Sequence, residues 1–155
     1  MSTLENGREI TFGEAVKEAL IEEMHRDSHV FIIGEDVAEA GTVFKVLTGL
    51  LDEFGPDRVI DSPISEAGIT GIGVGAAVTG MRPVVDIMFG DFTTLAMDQM
   101  VNQAAKTHYM SGGKLRVPMV IRTTMGAGRR SAAQHSQSLH AWYSHIPGLK
   151  VAIPS

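Results

Sequence analysis

The sequence has no cysteine among its 155 residues, which excludes a disulfide framework and a zinc site built on thiolates. Its 13 lysines and arginines are outnumbered by 18 aspartates and glutamates, so the basic excess typical of nucleic-acid-binding domains is missing. No uncharged apolar run reaches the roughly 18 residues of a membrane span, and no cationic N-terminal flank precedes an apolar stretch. These absences predict a protein with no nucleic-acid partner, no membrane span and a cytoplasmic location.

The composition that remains is typical of one globular domain over residues 1–155. Hydrophobic residues make up 44% of the chain and charged residues 20%, and the formal net charge is -5. A compact domain of this size buries about 68 to 70% of its unfolded surface, which is enough for a substantial core.

Helical and extended patterns alternate along the chain. Thr11 and Glu14 form a capping-box pattern that opens a helix predicted to run to about Arg26. Short apolar runs predict strands, and periodic segments between them predict further helices. The predicted strands are Val30 to Ile33, Arg58 to Asp61, Pro83 to Met88, Val117 to Thr123 and Leu149 to Ile153; the further helices cover 43–54, 65–79 and 93–109. This alternation predicts a three-layer α/β/α fold with a mainly parallel sheet.

The predicted helix over 65–79 is rich in glycine and apolar on every side, a pattern typical of a buried helix. Its glycines indicate close approach of another backbone, either the sheet beneath or a second chain. Gly71, Gly73 and Ala76 also match the G-x-G-x-x-A pattern of dinucleotide-binding folds. That fingerprint opens directly from a strand, whereas about ten residues separate it here from Asp61, so nucleotide binding is disfavoured.

Glu66 is the acidic residue at the head of this nearly uncharged segment. A carboxylate in apolar surroundings is costly unless another group binds it or shares its proton, which makes Glu66 a candidate for chemistry. The alternative needs no function, because Ser62 or Ser65 can cap the helix and an acidic first turn favours the helix dipole. Local sequence alone favours this second interpretation.

Three long segments resemble a known family. ISEAGITGIGVGAAVTGMRPVVDIMFGDF, AAKTHYMSGGKLRVPMVIRTTMGAG and AAQHSQSLHAWYSHIPGLKV are similar to the beta subunit of the thiamine-diphosphate-dependent decarboxylating component of 2-oxoacid dehydrogenases. The group includes the pyruvate, branched-chain and acetoin enzymes. The resemblance runs from about Thr11 to the end of the chain and implies the N-terminal, pyrimidine-binding domain. Such subunits normally continue into a second domain, which we expect to be absent from this chain.

The resemblance implies a role for five residues. Glu66 matches the glutamate that hydrogen-bonds the pyrimidine ring of thiamine diphosphate and favours the tautomer that deprotonates the thiazolium carbon. Phe92 matches the aromatic residue that stacks on the pyrimidine, and Met88 lies where the family lines that pocket. His135 matches a histidine that holds substrate or lipoyl groups, and Glu35 matches an acid of the proton network near the cofactor.

The resemblance also implies partners, because part of the cofactor site is missing. The diphosphate and its magnesium are held in this family by a G-D-G motif with a later asparagine, whereas here Gly90 and Asp91 are followed by Phe92. We therefore expect no metal ligands on this chain and an alpha subunit that holds the magnesium, in a heterotetramer when full-length. A lipoyl-bearing acyltransferase would receive the acyl group.

Two alternatives stay open from the sequence. The chain could be a folded but inactive fragment or interaction module, or a domain of a transketolase-type enzyme, which shares the pyrimidine fold and its glutamate. The segments around His108 and His135 speak against the transketolase type.

Overall fold

Four parallel strands form the centre of the molecule in this computed structural model, which describes residues 8–154. Their order across the sheet is β2-β1-β3-β4, and every neighbouring pair is parallel. The strands are β1 (Val30–Gly34), β2 (Val59–Asp61), β3 (Arg82–Phe89) and β4 (Val120–Thr124). All five residues of β1 are buried, as a strand covered on both faces requires.

Helices cover both faces of this sheet, which confirms the predicted three-layer α/β/α fold. They are α1 (Phe12–Arg26), α2 (Leu50–Phe54), α3 (Glu66–Val78), α4 (Ala105–Met110) and α5 (His140–Ser144). Alternate residues of β1 point into two separate cores. Ile32 packs with α1 and α2 in one core, whereas Ile33 packs in the other with Ile69 of α3 and Tyr143 of α5. Among the described residues, no helix is long and apolar enough to cross a membrane.

The first helix forms as predicted because its start signal is local. The Glu14 amide donates to Thr11 Oγ1 at 3.2 Å, and the Thr11 amide donates to the Glu14 carboxylate at 2.7 Å. These reciprocal bonds satisfy two backbone donors that the helix itself leaves without partners.

Two predicted helices are shorter or less regular than the sequence pattern indicated. Only Leu50–Phe54 is helical in the 43–54 segment, because Lys45 and Gly49 adopt positive φ angles of 59° and 91°, which an α-helix cannot contain. The segment predicted as one helix over 93–109 begins as a 3-10 turn at Gly90–Thr94. It then passes through a π-helical stretch, Gln99–Ala104, before α4.

The predicted strand Leu149 to Ile153 is wrong: residues 149–154 pair with no strand of the described chain. Val151 and Ile153 are 39% and 60% exposed, so the apolar run that suggested a buried strand lies at the surface. Gly148 directs the chain over α4, since a Cβ there would lie 2.4 Å from the carbonyl oxygen of Ala105. β4 also begins later than predicted, because Pro118 lacks the N–H that a ladder needs.

Helix α3 is buried on one face only, contrary to the prediction of burial all round. Ile72 is 55% exposed, and a Cβ added to Gly75 would meet nothing within 4 Å. Gly73 faces the sheet, where an added Cβ would lie 2.6 Å from a methyl group of Val85 and 3.1 Å from Met119 Cε. The sheet therefore accounts for the close approach at Gly73. Gly71 and Gly73 lie inside the helix and not at a strand-to-helix turn, which removes the dinucleotide interpretation.

Candidate active site

The residues singled out in the sequence gather at the carboxyl ends of the parallel strands. Glu35 follows β1, and Glu66 follows β2 at the start of α3. Met88 is the second-last residue of β3 with Phe92 shortly beyond the strand, and His135 lies in the loop after β4. The chain leaves β1 toward β2 on one side of the sheet, and β3 lies on the other side. Ligands of open α/β sheets bind at the carboxyl edge, at such a switch point.

Glu66 is nearly buried at the first position of α3. Ser65 caps the helix, because its hydroxyl accepts a hydrogen bond from the Gly68 amide at 3.3 Å. Glu66 itself is only 9% exposed, and none of residues 8–154 donates a hydrogen bond to its carboxylate. Ser65 thus supplies the helix cap that the interpretation without a function required. The Glu66 carboxylate takes no part in that cap and is available to a ligand.

Glu35 lies close enough to Glu66 for their charges to interact. Burial raises the pKa of Glu35 above its ordinary value, and the negative charges of Asp36 and Glu66 raise it further. Repulsion between carboxylates makes it easier for one of them to hold a proton. The carboxyl ends of β1 and β2 therefore bring two acids near each other, and Glu35 is the one whose pKa rises.

An aromatic cluster composed of Phe44, Phe89, Phe92 and His135 lies at the carboxyl ends of β3 and β4. The His135 ring contacts Phe89 and Phe92 edge to face, with ring centroids 4.7 Å and 5.1 Å apart. Phe44 packs on Phe89 at 5.5 Å, and the Arg129 guanidinium lies 4.1 Å from the centre of the Phe44 ring. Phe92 and His135, 43 residues apart in sequence, are thus brought together.

A small cavity of about 100 Å³ opens beside this cluster. It is lined by Phe89, Thr124, Met125, Gly126, Gly128, Arg129 and His135, and neither Glu66 nor Phe92 is part of its wall. Met88 is half-buried, and its carbonyl oxygen accepts a hydrogen bond from the Thr124 hydroxyl at 2.7 Å. The structure therefore places Phe92 with His135, and Glu35 with Glu66, as two groups at one edge of the sheet.

A larger cavity of about 740 Å³ lies between α4 and the segment that leads into β4. Lys106, Tyr109, Arg116 and Pro147 line it, and none of the predicted site residues does. Size alone would make it the first choice, but its wall lies at the amino end of β4. The candidate catalytic side chains Glu35, Glu66 and His135 lie instead at the carboxyl edge of the sheet.

Asp91 is a buried carboxylate that the sequence analysis missed. It is 5% exposed, and its Oδ1 accepts hydrogen bonds from the Gln137 amide at 3.2 Å and from Gln137 Nε2 at 2.8 Å. Burial acts to raise the pKa of Asp91, but the bonds from Gln137 and the nearby charge of His135 outweigh it and lower the pKa. Asp91 is therefore an ion at neutral pH, and it immediately precedes Phe92 of the aromatic cluster.

Residues 8–155 match the family model described as the transketolase pyrimidine-binding domain. The chain belongs to this family. The match covers nearly the whole sequence and confirms the kind of domain that the resemblance implied.

The chain is also similar in sequence to relatives with curated names. The chain is 56% identical over 146 residues to the pyruvate dehydrogenase E1 component subunit beta of Rickettsia conorii, with 94% of the chain and 45% of the relative covered. The corresponding subunit of Rhizobium meliloti is 54% identical, with 94% and 32% covered. The mitochondrial beta-1 subunit of Oryza sativa subsp. japonica is 53% identical, with 95% and 39% covered. The resemblance to these beta subunits is confirmed, and the chain spans less than half the length of each.

A solved structure supports the fold of this pyrimidine-binding domain independently. A split gene transketolase, described as an inactive beta4 tetramer, superposes with a TM-score of 0.66 over 86% of this chain and 39% of its own. At 18% identity this likeness concerns the fold alone.

Proposed function

We propose that this pyrimidine-binding domain supplies one half of a thiamine diphosphate site in a 2-oxoacid dehydrogenase. The observation that carries the proposal is the Glu66 carboxylate, which is nearly buried at the carboxyl edge of the sheet and has no hydrogen-bond partner among residues 8–154. Pyruvate is the favoured substrate, because the relatives are named pyruvate dehydrogenase subunits. Another 2-oxoacid or acetoin is the alternative.

The donor set fits the pyrimidine ring of this cofactor. A ring nitrogen needs a carboxyl group that can share a proton with it, and the Glu66 carboxylate is nearly buried with no hydrogen-bond partner among residues 8–154. When bound, the cofactor supplies the electron sink for decarboxylation. The Glu66 carboxyl group would hydrogen-bond the ring nitrogen, and Glu35, with its raised pKa, would be a second acid near Glu66 that can exchange a proton.

Two further residues orient the reactants in this proposal. Phe92 presents a half-buried ring on which the pyrimidine would stack, and such stacking contributes about 1 kcal/mol beyond area burial. His135 lines the 100 Å³ cavity, where its imidazole can donate a hydrogen bond to a substrate carboxylate or exchange a proton with a lipoyl group. Met88, the second-last residue of β3, would line the pyrimidine pocket, as the resemblance implies.

The diphosphate requires a partner. Among residues 8–154 there is no group of three acidic or histidine side chains that could hold a metal ion. We assign the magnesium and the diphosphate to an alpha subunit because Gly90 and Asp91 are followed by Phe92 and not by the second glycine of the G-D-G motif. The full-length assembly would be an alpha/beta heterotetramer, with a lipoyl-bearing acyltransferase as acyl acceptor. The cytoplasmic location stays a prediction, since one relative above is mitochondrial by name.

Reconstitution with an alpha subunit tests this function. We expect decarboxylation of pyruvate with acyl transfer to lipoamide, and a loss of about 10²-fold to 10⁴-fold in Glu66→Gln, the usual effect of a proton-transfer group. Glu39→Gln is the matched control, because Glu39 is an exposed acid of the loop after β1. Circular dichroism checks that each variant is folded.

Three outcomes would contradict parts of the proposal. Near-normal turnover in Glu66→Gln removes Glu66 from the chemistry. Assembly without turnover in the wild type favours the interaction module, and ketol transfer between sugar phosphates in place of lipoamide acylation favours a transketolase-type enzyme.

A further inference from the structure

The loop that carries His135 is attached to the body of the domain by hydrogen bonds to one buried carboxylate, that of Asp91. His135 lies between β4 and α5, in a segment where Arg130 and Ala132 adopt positive φ angles of 53° and 61°. Such angles are unfavourable for residues other than glycine, so the conformation persists only if other contacts hold it. Gln137, two residues after His135, makes these contacts.

Gln137 binds Asp91 through both its backbone and its side chain. Its amide and its Nε2 donate to the same oxygen, Asp91 Oδ1, at 3.2 Å and 2.8 Å. The Gln137 carbonyl also accepts a hydrogen bond from the Gly126 amide at 3.3 Å, which links the two sides of the loop. Hydrogen bonds to a buried carboxylate are roughly twice as strong as neutral ones, so this contact resists opening of the loop.

Asp91 has no evident role other than this one. It is 5% exposed, and its second oxygen, Oδ2, is buried without a hydrogen-bond partner among the described residues. An ionised carboxylate is costly to bury, and helix capping does not explain it here, because the 3-10 turn Gly90–Thr94 has no side-chain cap hydrogen bond. Asp91 precedes Phe92 in the chain and binds Gln137, two residues after His135, so it links the loop to the strand end whose Phe89 and Phe92 contact the His135 ring.

We propose that Asp91 is a positioning residue for His135, acting through Gln137. The proposal rests on the proposed function, in which His135 works at the substrate entrance. Asp91 does not touch the reactants. It fixes the loop so that the imidazole stays at the wall of the 100 Å³ cavity.

Trypsin cleavage after Arg129 or Arg130, in the same loop, measures this attachment without any activity assay. We expect cleavage to be about tenfold faster or more in Asp91→Ala and Gln137→Ala, which corresponds to the loss of about one charge-assisted hydrogen bond. Asp91→Asn keeps an acceptor oxygen and should be intermediate. Asp98→Ala is the control, since Asp98 is an exposed acid that also binds side-chain amides, those of Gln99 and Asn102.

The NMR resonance of the His135 Cε1 proton reports the ring itself. The two flanking phenylalanines shift this resonance, and His135→Ala identifies it among the six histidines. In Gln137→Ala the resonance should move toward that of a solvent-exposed histidine. Gln137 is itself exposed, so its truncation leaves no cavity and the variant should fold even if Asp91→Ala does not.

Turnover of the reconstituted enzyme separates positioning from a general structural role. Gln137→Ala should lower turnover in the wild-type background and have no further effect in His135→Ala. Equal losses of turnover in both backgrounds would overturn the proposal. So would a cleavage rate within twofold of the wild type together with an unchanged His135 resonance. Absence of wild-type turnover would instead refute the proposed function, while cleavage and resonance still decide whether Asp91 holds the His135 loop.

Discussion

Replacing Gly73 by alanine tests how closely α3 must approach the sheet to place Glu66. An added Cβ would lie 2.6 Å from Val85 Cγ2 and 3.1 Å from Met119 Cε. Val85 is fully buried and β-branched, so its methyl group cannot turn away freely. Either the helix or the strand must shift. Gly75, two residues later in the same helix, offers a control because its Cβ would meet nothing within 4 Å.

The magnitude follows from two opposing effects. Alanine in place of glycine stabilises a helix interior by about 1 kcal/mol, and inserting a methyl group into a packed core costs about 1 to 3 kcal/mol. Gly73→Ala should therefore change the free energy of unfolding by about 0 to 2 kcal/mol in the destabilising direction. Gly75→Ala gains only the helix effect and should stabilise by about 0.5 to 1 kcal/mol.

Urea unfolding of the two variants and the wild type measures this difference. The midpoint should fall or stay unchanged in Gly73→Ala and rise in Gly75→Ala, with equal slopes in all three. Equal upward shifts in both variants would show that α3 does not pack on β3 as described. Because α3 carries Glu66 at its first turn, Gly73→Ala should also weaken cofactor binding in the assembled enzyme.

Three further predictions concern charge and stacking. Hydrogen bonds from the His29 amide and ring lower the pKa of Asp27 from 3.8 to about 2, so its stabilising contribution is present above pH 3.8 and is lost as the pH falls through about 2. In Asp27→Asn the urea midpoint should therefore fall less than in the wild type as the pH drops from 3.8 to about 2. An equal fall in both proteins would contradict this. Arg122→Met leaves the 4% exposed Asp86 without its ion-pair partner and should cost about 3 to 5 kcal/mol in urea unfolding at pH 7, most of it recovered when Asp86→Asn is added. Phe92→Leu should weaken thiamine diphosphate binding about fivefold by calorimetry, in line with about 1 kcal/mol of stacking; unchanged affinity would remove Phe92 from the site.

Local signals in the sequence were sufficient for the starts of two helices, α1 and the α3 helix that carries Glu66. The capping box at Thr11 and the serine before Glu66 act within one helical turn, and both operate as read. The predicted strand at the C-terminal end was wrong because an apolar run does not identify its pairing partner. Whether such a run becomes a strand depends on where Gly148 directs the chain.

The contact between Asp91 and Gln137 could not be predicted from either residue alone. They are 46 positions apart, and the aspartate attracted notice in the sequence only as part of an incomplete G-D-G motif. Parallel strands bring their carboxyl ends to one edge, so the loops after β3 and β4 are neighbours once these strands pair. The sequence does not determine which side chains of those loops meet, because that depends on backbone angles such as those of Arg130 and Ala132.

The rate at which the thiazolium C2 proton exchanges with deuterium in the reconstituted enzyme tests the role of Glu66 most directly. It reports proton transfer at the cofactor before substrate side-chain choice or acyl transfer can intervene. We predict that Glu66→Gln slows this exchange by about 10²-fold or more, while Glu39→Gln leaves it unchanged. Exchange in Glu66→Gln as fast as in the wild type would contradict the account.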